Sequence, residues 1–305
     1  MAIELTDLIK NPETAPFSKL KYLKWSPEDE VTQFFNRLFH LSVASKETGD
    51  WSSVDKFLEE EGDRISARVA PPMGFNSTPW SPFKKRLSES KVAVLTTGGV
   101  YVEGQKAFDT DGDWSYREIP LNTTLEQFRV AHNHYDTIGV AEDVDSVLAI
   151  HRLQEMVRDG MVAEALTPTY SFMGYIPDPS RLTEVTAPEV AGRLKKAGVD
   201  GVVIGTTGPV CHQSGGLIAR AIESAGISTV VLMADRTRAE TMALPRGLVL
   251  RFPFGRPFGA PGNPDQQRVV LEDALTMLSS ARRPGGIRAM PYRCLLYTSP
   301  SPRDS

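Results

Sequence analysis

Cysteine is nearly absent from this chain: 305 residues carry two, Cys211 and Cys294. With one of them read as foreign to the protein (below), no internal disulfide can form, which fits a reducing cytoplasm. No apolar run approaches the ~18 residues needed to span a bilayer. The opening stretch, MAIELTDLIKNPE, does not have the shape of a signal peptide. A charge of one sign is missing as well. Thirty-four Lys and Arg stand against 38 Asp and Glu, and the net charge of −4 gives neither nucleic acid nor an anionic membrane a footing. There is no internal repeat and no native low-complexity tract. What remains, 41% hydrophobic and 24% charged, is the composition of a globular protein long enough to bury a full core.

The second cysteine opens the tail CLLYTSPSPRDS, residues 294–305. From Cys294 through Asp304 it back-translates to the mosaic end and adapter of common sequencing libraries. The competing reading is a real Ser/Pro-rich tail. Residues 294–305 are set aside as a fusion scar would be, expected to add nothing to fold or function, with the natural C-terminus expected to be missing. Cys211 is then the one native thiol.

Residues 1–90 read as a helical and irregular N-terminal extension. Val31, Phe34, Phe35, Leu38, Phe39 and Leu41 recur as on an amphipathic helix, and Val54, Phe57, Leu58 and Ile65 suggest a second. The Pro- and Gly-rich stretch 70–83 reads as a crossing loop. Strands and helices then alternate over residues 91–290. Strands are expected at Val92–Thr96, Val162–Leu166 leading into a further strand, Gly201–Gly205, Thr229–Met233 and Gly247–Phe252. Helices are expected over Val144–Val157, Pro188–Ala197, around Ile218–Ala225, and over Gln266–Ser280. This alternation predicts an α/β fold: a doubly wound, mostly parallel sheet with an N-terminal helical extension.

Cys211 falls where one of these strands turns into a helix. Gly201–Gly205 is a buried-strand run, Thr206–Val210 is a turn containing Gly208 and Pro209, and Gly226 stops the helix beyond. Unpaired N–H groups and the dipole at a helix start favour a thiolate, the reactive form of cysteine. Ligands of open α/β sheets bind at the carboxyl ends of strands. Cys211 is therefore expected to be accessible and partly ionised; the plainer alternative is a small buried apolar residue.

Three further segments concentrate functional side chains. FDTDGDWSYREIP, residues 108–120, reads as a solvated loop or a substrate loop above the sheet, in which Arg117 can hold a carboxylate in bidentate fashion. It lacks the final glutamate of a calcium loop. AHNHYD, residues 131–136, places His132, His134 and Asp136 at alternate positions, on one side if the segment is extended. A metal, acid–base work and a capped turn are all open for it. Thr137 stands where a metallohydrolase pattern needs another histidine, so no metal is expected. TPTYSFMGYIPD, residues 167–178, offers Tyr170 and Ser171 at a strand end, for a pocket or for the core. His212 follows Cys211 directly, and helical geometry points it away from the thiol, so His132 or His134 is the more natural partner of Cys211.

Taken together and in order, GGVYVEGQKAFDTDGDWSYREIP, AHNHYD, YSFMGYIPD and GPVCHQSGGLIARAIESAGIST resemble the selenoprotein B family. That family holds components of the glycine, sarcosine and betaine reductases and of D-proline reductase. The resemblance covers roughly residues 88–290. It implies an oxidoreductase subunit that cleaves a C–N bond of an amino-acid-like substrate reductively, a selenol or thiol attacking and a dithiol system supplying electrons. It further implies no bound cofactor, an external dithiol or thioredoxin-like donor, and a partner reductase subunit, with a pyruvoyl-containing protein as a candidate. A homo-oligomer is open. D-proline reductase relatives carry selenocysteine three positions before a cysteine. Cys211 matches that cysteine, and Gly208 occupies the selenocysteine position. The expected catalytic residues are Cys211, His132 and His134; the expected substrate contacts are Arg117, Asp136, Tyr170, Ser171 and His212. The alternatives are a cysteine-dependent lyase or hydrolase on the same fold and a non-catalytic binding subunit.

Overall fold

The computed structural model describes Leu23, residues 26–69 and residues 73–293; the tail at 294–305 lies outside the described residues. The chain divides into two compact units, residues 1–71 and residues 72–305.

Among its described residues, the first unit forms a helical hairpin. Helix α1 (Glu28–Thr48) carries Glu28, Asp29 and Glu30 in its first turn, where they complement the helix dipole, and ends at Gly49 in the left-handed region, φ 74°. Helix α2 (Ser52–Val69) returns along it. Phe34 stacks on Phe57 at 5.2 Å, and Glu30 accepts hydrogen bonds from both Arg64 and Arg68.

The second unit is built on one twisted sheet. Its strands are β1 (Lys91–Thr96), β3 (Tyr116–Ile119), β5 (Glu164–Ala165), β6 (Thr169–Phe172), β7 (Gly201–Gly205), β8 (Ser228–Met233), β9 (Arg246–Arg251) and β10 (Gly286–Arg293). Two more, β2 (Val100–Val102) and β4 (Phe128–Val130), form a separate antiparallel pair. The order is β10-β9-β8-β7-β1-β6-β3, with β5 beside β1; only β3 runs antiparallel, against β6. The helices are α3 (Ile138–Glu142), α4 (Ile150–Arg158), α5 (Ala187–Lys196), α6 (Pro209–Ser224), α7 (Arg236–Thr241) and α8 (Pro264–Ser280).

The continuous apolar runs of β1, β7 and β8 are those of strands covered on both faces. On one face Ala93, Leu95, Phe172, Val202 and Ile204 pack with Val190 and Leu194 of α5 and Leu217, Ile218 and Ile222 of α6. On the other, α8 lies so close to β7 that a Cβ at Gly201 would stand 2.4 Å from the Leu278 side chain, which would have to shift to admit it. At its start the chain leaves β1 toward β6, and it leaves β7 toward β8. The direction of winding therefore reverses between β1 and β7, which opens a crevice at their carboxyl ends.

The crossing segment is fastened to this unit by a buried ion pair. Arg246 meets Glu223 at 2.7 Å with both side chains fully buried, and Arg246 Nη2 donates to the Ser81 carbonyl at 2.8 Å. The Glu223 carboxylate also accepts from the backbone N–H groups of Ser81 and Thr229, and Arg246 lies over the Trp80 ring at 3.8 Å. At the other edge, the loop after β9 makes two successive Pro-Phe-Gly turns, at 253–255 and 257–259, and buries Phe254 and Phe258.

Candidate active site at the carboxyl edge of the sheet

Cys211 stands in the crevice between β1 and β7. Helix α6 begins at Pro209, so Cys211 sits in its first turn, and Gly208 precedes it with extended backbone, φ −149° and ψ 176°. A glycine supplies no capping side chain, which leaves first-turn donors free of one. The Thr207 hydroxyl, which donates to the Thr97 carbonyl at 3.2 Å, and the N–H groups of Gly208 and of Cys211 itself lie by the sulfur and favour its ionised form.

From the other side comes His132, whose Nε2 lies 3.2 Å from Cys211 Sγ. The AHNHYD segment is not extended. It bends, and the backbone N–H of His134 donates to His132 Nδ1 at 3.1 Å. A nitrogen that accepts a hydrogen bond carries no proton, so the neutral His132 ring holds its proton on Nε2, facing the sulfur. Because of the bend, His132, His134 and Asp136 do not line one side. Asp136 turns back to accept from the Ile138 N–H, starting α3, at 3.1 Å. His134 stacks on Tyr175 at 3.5 Å, and its Nε2 reaches the Thr110 carbonyl at 3.3 Å.

The sulfur is sealed. Cys211 is 1% exposed. Gly174 covers it at φ 84°, so closely that a Cβ would stand 2.9 Å from Sγ and overlap the Thr97 carbonyl. Ser214, one turn along α6, holds this cover by donating to the Gly174 carbonyl at 2.7 Å. The expectation of an accessible, partly ionised thiol is thus corrected. Burial pushes Cys211 up to about 12, against the hydroxyl and N–H donors around it. The magnitudes decide this: a helix terminus is worth ~1 kcal/mol, under one pKa unit, whereas full burial moves a group by up to 3–5 units.

The remaining expected residues divide. Ser171 reaches the same edge, paired in register with Thr96; its buried Oγ has no hydrogen-bond partner among the described residues. Tyr170 faces the helix side instead, edge-on to Tyr116 at 5.5 Å and inside the α5–α6 core. Arg117 is committed to its own loop. It donates to the carbonyls of Lys106, Ala107 and Tyr116 and to Ser115, and lies over Phe108 at 4.1 Å. A guanidinium so engaged organises the loop. His212 is fully buried, with Nδ1 on the Gly208 carbonyl and Nε2 accepting from the Ala234 N–H at 2.7 Å. It pins the start of α6 to the end of β8.

Sequence reasoning passed over four residues that build this site: Thr97, Thr207, Tyr135 and Gly174. Each lies in a turn at the sheet edge, and Tyr135 and Gly174 sit inside motifs already singled out. Tyr135 is 1% exposed, donates its hydroxyl to the Gly98 carbonyl at 2.7 Å, and sets its ring 4.6 Å from that of His132.

The family profile described as glycine/sarcosine/betaine reductase selenoprotein B matches residues 25–207, more than half of the chain. The chain belongs to this family. The matched span includes His132 and Gly174 and stops at Thr207, just short of Cys211. The chain is also similar to D-proline reductase subunit gamma of Acetoanaerobium sticklandii, at 33% identity over 79% of this chain and 96% of that one. It is similar to glycine reductase complex component B subunit gamma of Carboxydothermus hydrogenoformans, at 25% identity over 84% of this chain and 60% of that one. A third relative is betaine reductase complex component B subunit beta of Peptoclostridium acidaminophilum, 24% identical over 73% of this chain and 54% of the other. The chain thus spans nearly the whole of the first relative and about three fifths or less of the other two. No solved structure matches it. No helix among the described residues is long and apolar enough to cross a membrane.

Proposed function

We propose that this chain is a subunit of a cytoplasmic amino-acid reductase complex, in which Cys211 is the working thiol and His132 its hydrogen-bonding partner. One observation carries this reading: Cys211 Sγ lies 3.2 Å from His132 Nε2 in the crevice where the sheet reverses its winding. Family membership supports the reaction class. In that class a C–N bond of an amino-acid-like substrate is replaced by C–H and N–H bonds, which takes two electrons and two protons. Two thiols supply both as they join in a disulfide. Cys211 is the only cysteine among the described residues, so the second thiol belongs to an external dithiol, a thioredoxin-like donor or a partner subunit. A further thiol then releases Cys211 from the mixed disulfide.

A second reading, a binding subunit without chemistry of its own, draws on two observations. The sulfur is sealed beneath Gly174, and Gly208 places no side chain at the position where the family resemblance puts selenocysteine.

The deciding experiment measures consumption of D-proline, glycine, sarcosine and betaine with dithiothreitol, with and without candidate partner subunits, the pyruvoyl-containing one among them. Turnover of one substrate that requires a partner and falls by about 100-fold or more in Cys211→Ala is expected of a nucleophilic thiol. Full activity in Cys211→Ala would remove Cys211 from the reaction, and no turnover with any partner would favour the binding subunit. Turnover that needs no reductant would point to a lyase or hydrolase.

A further inference from the structure

The turn that carries His132 decides which way its proton faces, and Tyr135 holds that turn. The Tyr135 hydroxyl is bonded to the Gly98 carbonyl at 2.7 Å, in the loop after β1. One face of its ring meets His132 at 4.6 Å. Another packs on Gly255, where φ is 87° and a Cβ would overlap the ring. The Gly255 N–H in turn donates to the Thr207 carbonyl at 2.8 Å, beside Cys211. Tyr135 is therefore wedged among the loops that follow β1, β7 and β9, with no room to swing. In this position the backbone N–H of His134, its neighbour, stays on His132 Nδ1.

We propose that Tyr135 is a positioning residue that locks His132 as an Nε2–H donor to the Cys211 sulfur, so that His132 does not serve as a base for the thiol. The chemistry follows from the count of protons. To take the thiol proton, His132 would need N–H on both ring nitrogens. An Nδ1–H would then face the His134 N–H, donor against donor. Cys211 on α6 faces His132, as do His134 and Tyr135 on its own loop, and Asp136 acts on Tyr135. A locked donor serves the opposite step. When an external thiolate attacks the outer sulfur of a mixed disulfide on Cys211, a new S–S bond forms between the two external sulfurs. The bond to Cys211 breaks, and its electron pair leaves on Cys211 Sγ, where the Nε2–H stabilises it. The functional consequence rests on Cys211 being the working thiol; the proton arrangement does not.

The test is nitrogen-15 NMR of the histidine-labelled full chain, paired with ultraviolet absorbance of the Cys211 thiolate. In wild type, His132 is expected as the Nε2–H tautomer, and no thiolate is expected at neutral pH. Tyr135→Phe keeps the ring and removes only the anchor. It is expected to free His132 Nδ1, so that the His132 nitrogen-15 shifts depart from the Nε2–H pattern, and to lower the midpoint of the Cys211 thiol titration followed by absorbance by about one pH unit or more. Gly255→Ala, which presses on the ring from its other face, is expected to move the same signals. An Nδ1–H tautomer or a thiolate–imidazolium pair in wild type overturns the proposal. So does a Tyr135→Phe protein with native circular dichroism in which neither signal changes. A complex that turns over no substrate would sink the reductase reading and leave these spectra as they are.

Discussion

Gly174 and Cys211 touch through the absence of a side chain: a Cβ on Gly174 would stand 2.9 Å from the Cys211 sulfur. The glycine is held at φ 84°, in the left-handed region that other residues enter at a cost. It therefore meets two demands at once, a turn after β6 and a close lid over the thiol.

Gly174→Ala is expected to lose about 1–3 kcal/mol of stability from left-handed backbone and steric overlap. Because the lid must shift to admit the methyl group, Cys211 is also expected to alkylate faster with iodoacetamide. Urea denaturation and alkylation rate are read on the same variant. An unchanged midpoint together with an unchanged rate would mean that Gly174 does not cover the sulfur in solution.

Arg246 and Glu223 make the second prediction. Burial raises the Glu223 carboxyl and depresses the Arg246 guanidinium, each against the pull of the other. Arg246→Met leaves a buried carboxylate without its cation and is expected to lose about 3–5 kcal/mol. The pair Arg246→Met, Glu223→Leu removes both charges and is expected to recover much of that loss. A single variant within ~1 kcal/mol of wild type in urea would show that the pair is solvated, contrary to its full burial.

His151 and Asp145 predict a pH dependence. His151 Nδ1 lies 2.6 Å from the buried Asp145 carboxylate, and this hydrogen bond raises the histidine above its ordinary value. A raised histidine contributes stability that is fully present below its unfolded pKa, ~6.5. That stability is lost as pH rises through the higher folded value. The His151 side chain is 34% exposed, so screening holds the contribution to under ~1 kcal/mol. Melting temperatures of wild type and His151→Gln are expected to differ most at about pH 5.5 and to converge at about pH 9. A gap that widens with pH would contradict the pairing.

The elements legible in the sequence are those whose burial leaves a local pattern. β1, β7, β8 and β9 show as apolar runs, and α1, α2, α5, α6 and α8 show by periodicity and by their glycine stops. The elements that were missed carry weaker signals. β2 and β4 are three residues each, and β3 is an edge strand of mixed character. β10 holds Pro291, which a strand tolerates only at a sheet edge. α7 has six residues, too few for a period to register. The expected helix from Val144 is a 3₁₀ turn followed by a break, and α4 starts only at Ile150. The segment 73–90, assigned to the N-terminal extension from its composition, is compact with the sheet because Ser81 is bound to Glu223.

Local signals along the chain suffice for the α/β alternation, the mostly parallel sheet, the family, and the place of Cys211 at the entrance to a helix beyond a strand. These follow from periodicity, glycine and proline positions and ordered motifs, all written locally along the chain. Folding is what seals the thiol, pushes it up by burial and makes His132 its neighbour. The seal and the neighbour both depend on which loop lies over which: Gly174, His132 and Thr97 stand 37, 79 and 114 residues from Cys211 along the chain. Local spacing carries no term for such contacts, and the desolvation they impose outweighs the helix-end effect that the local reading relied on.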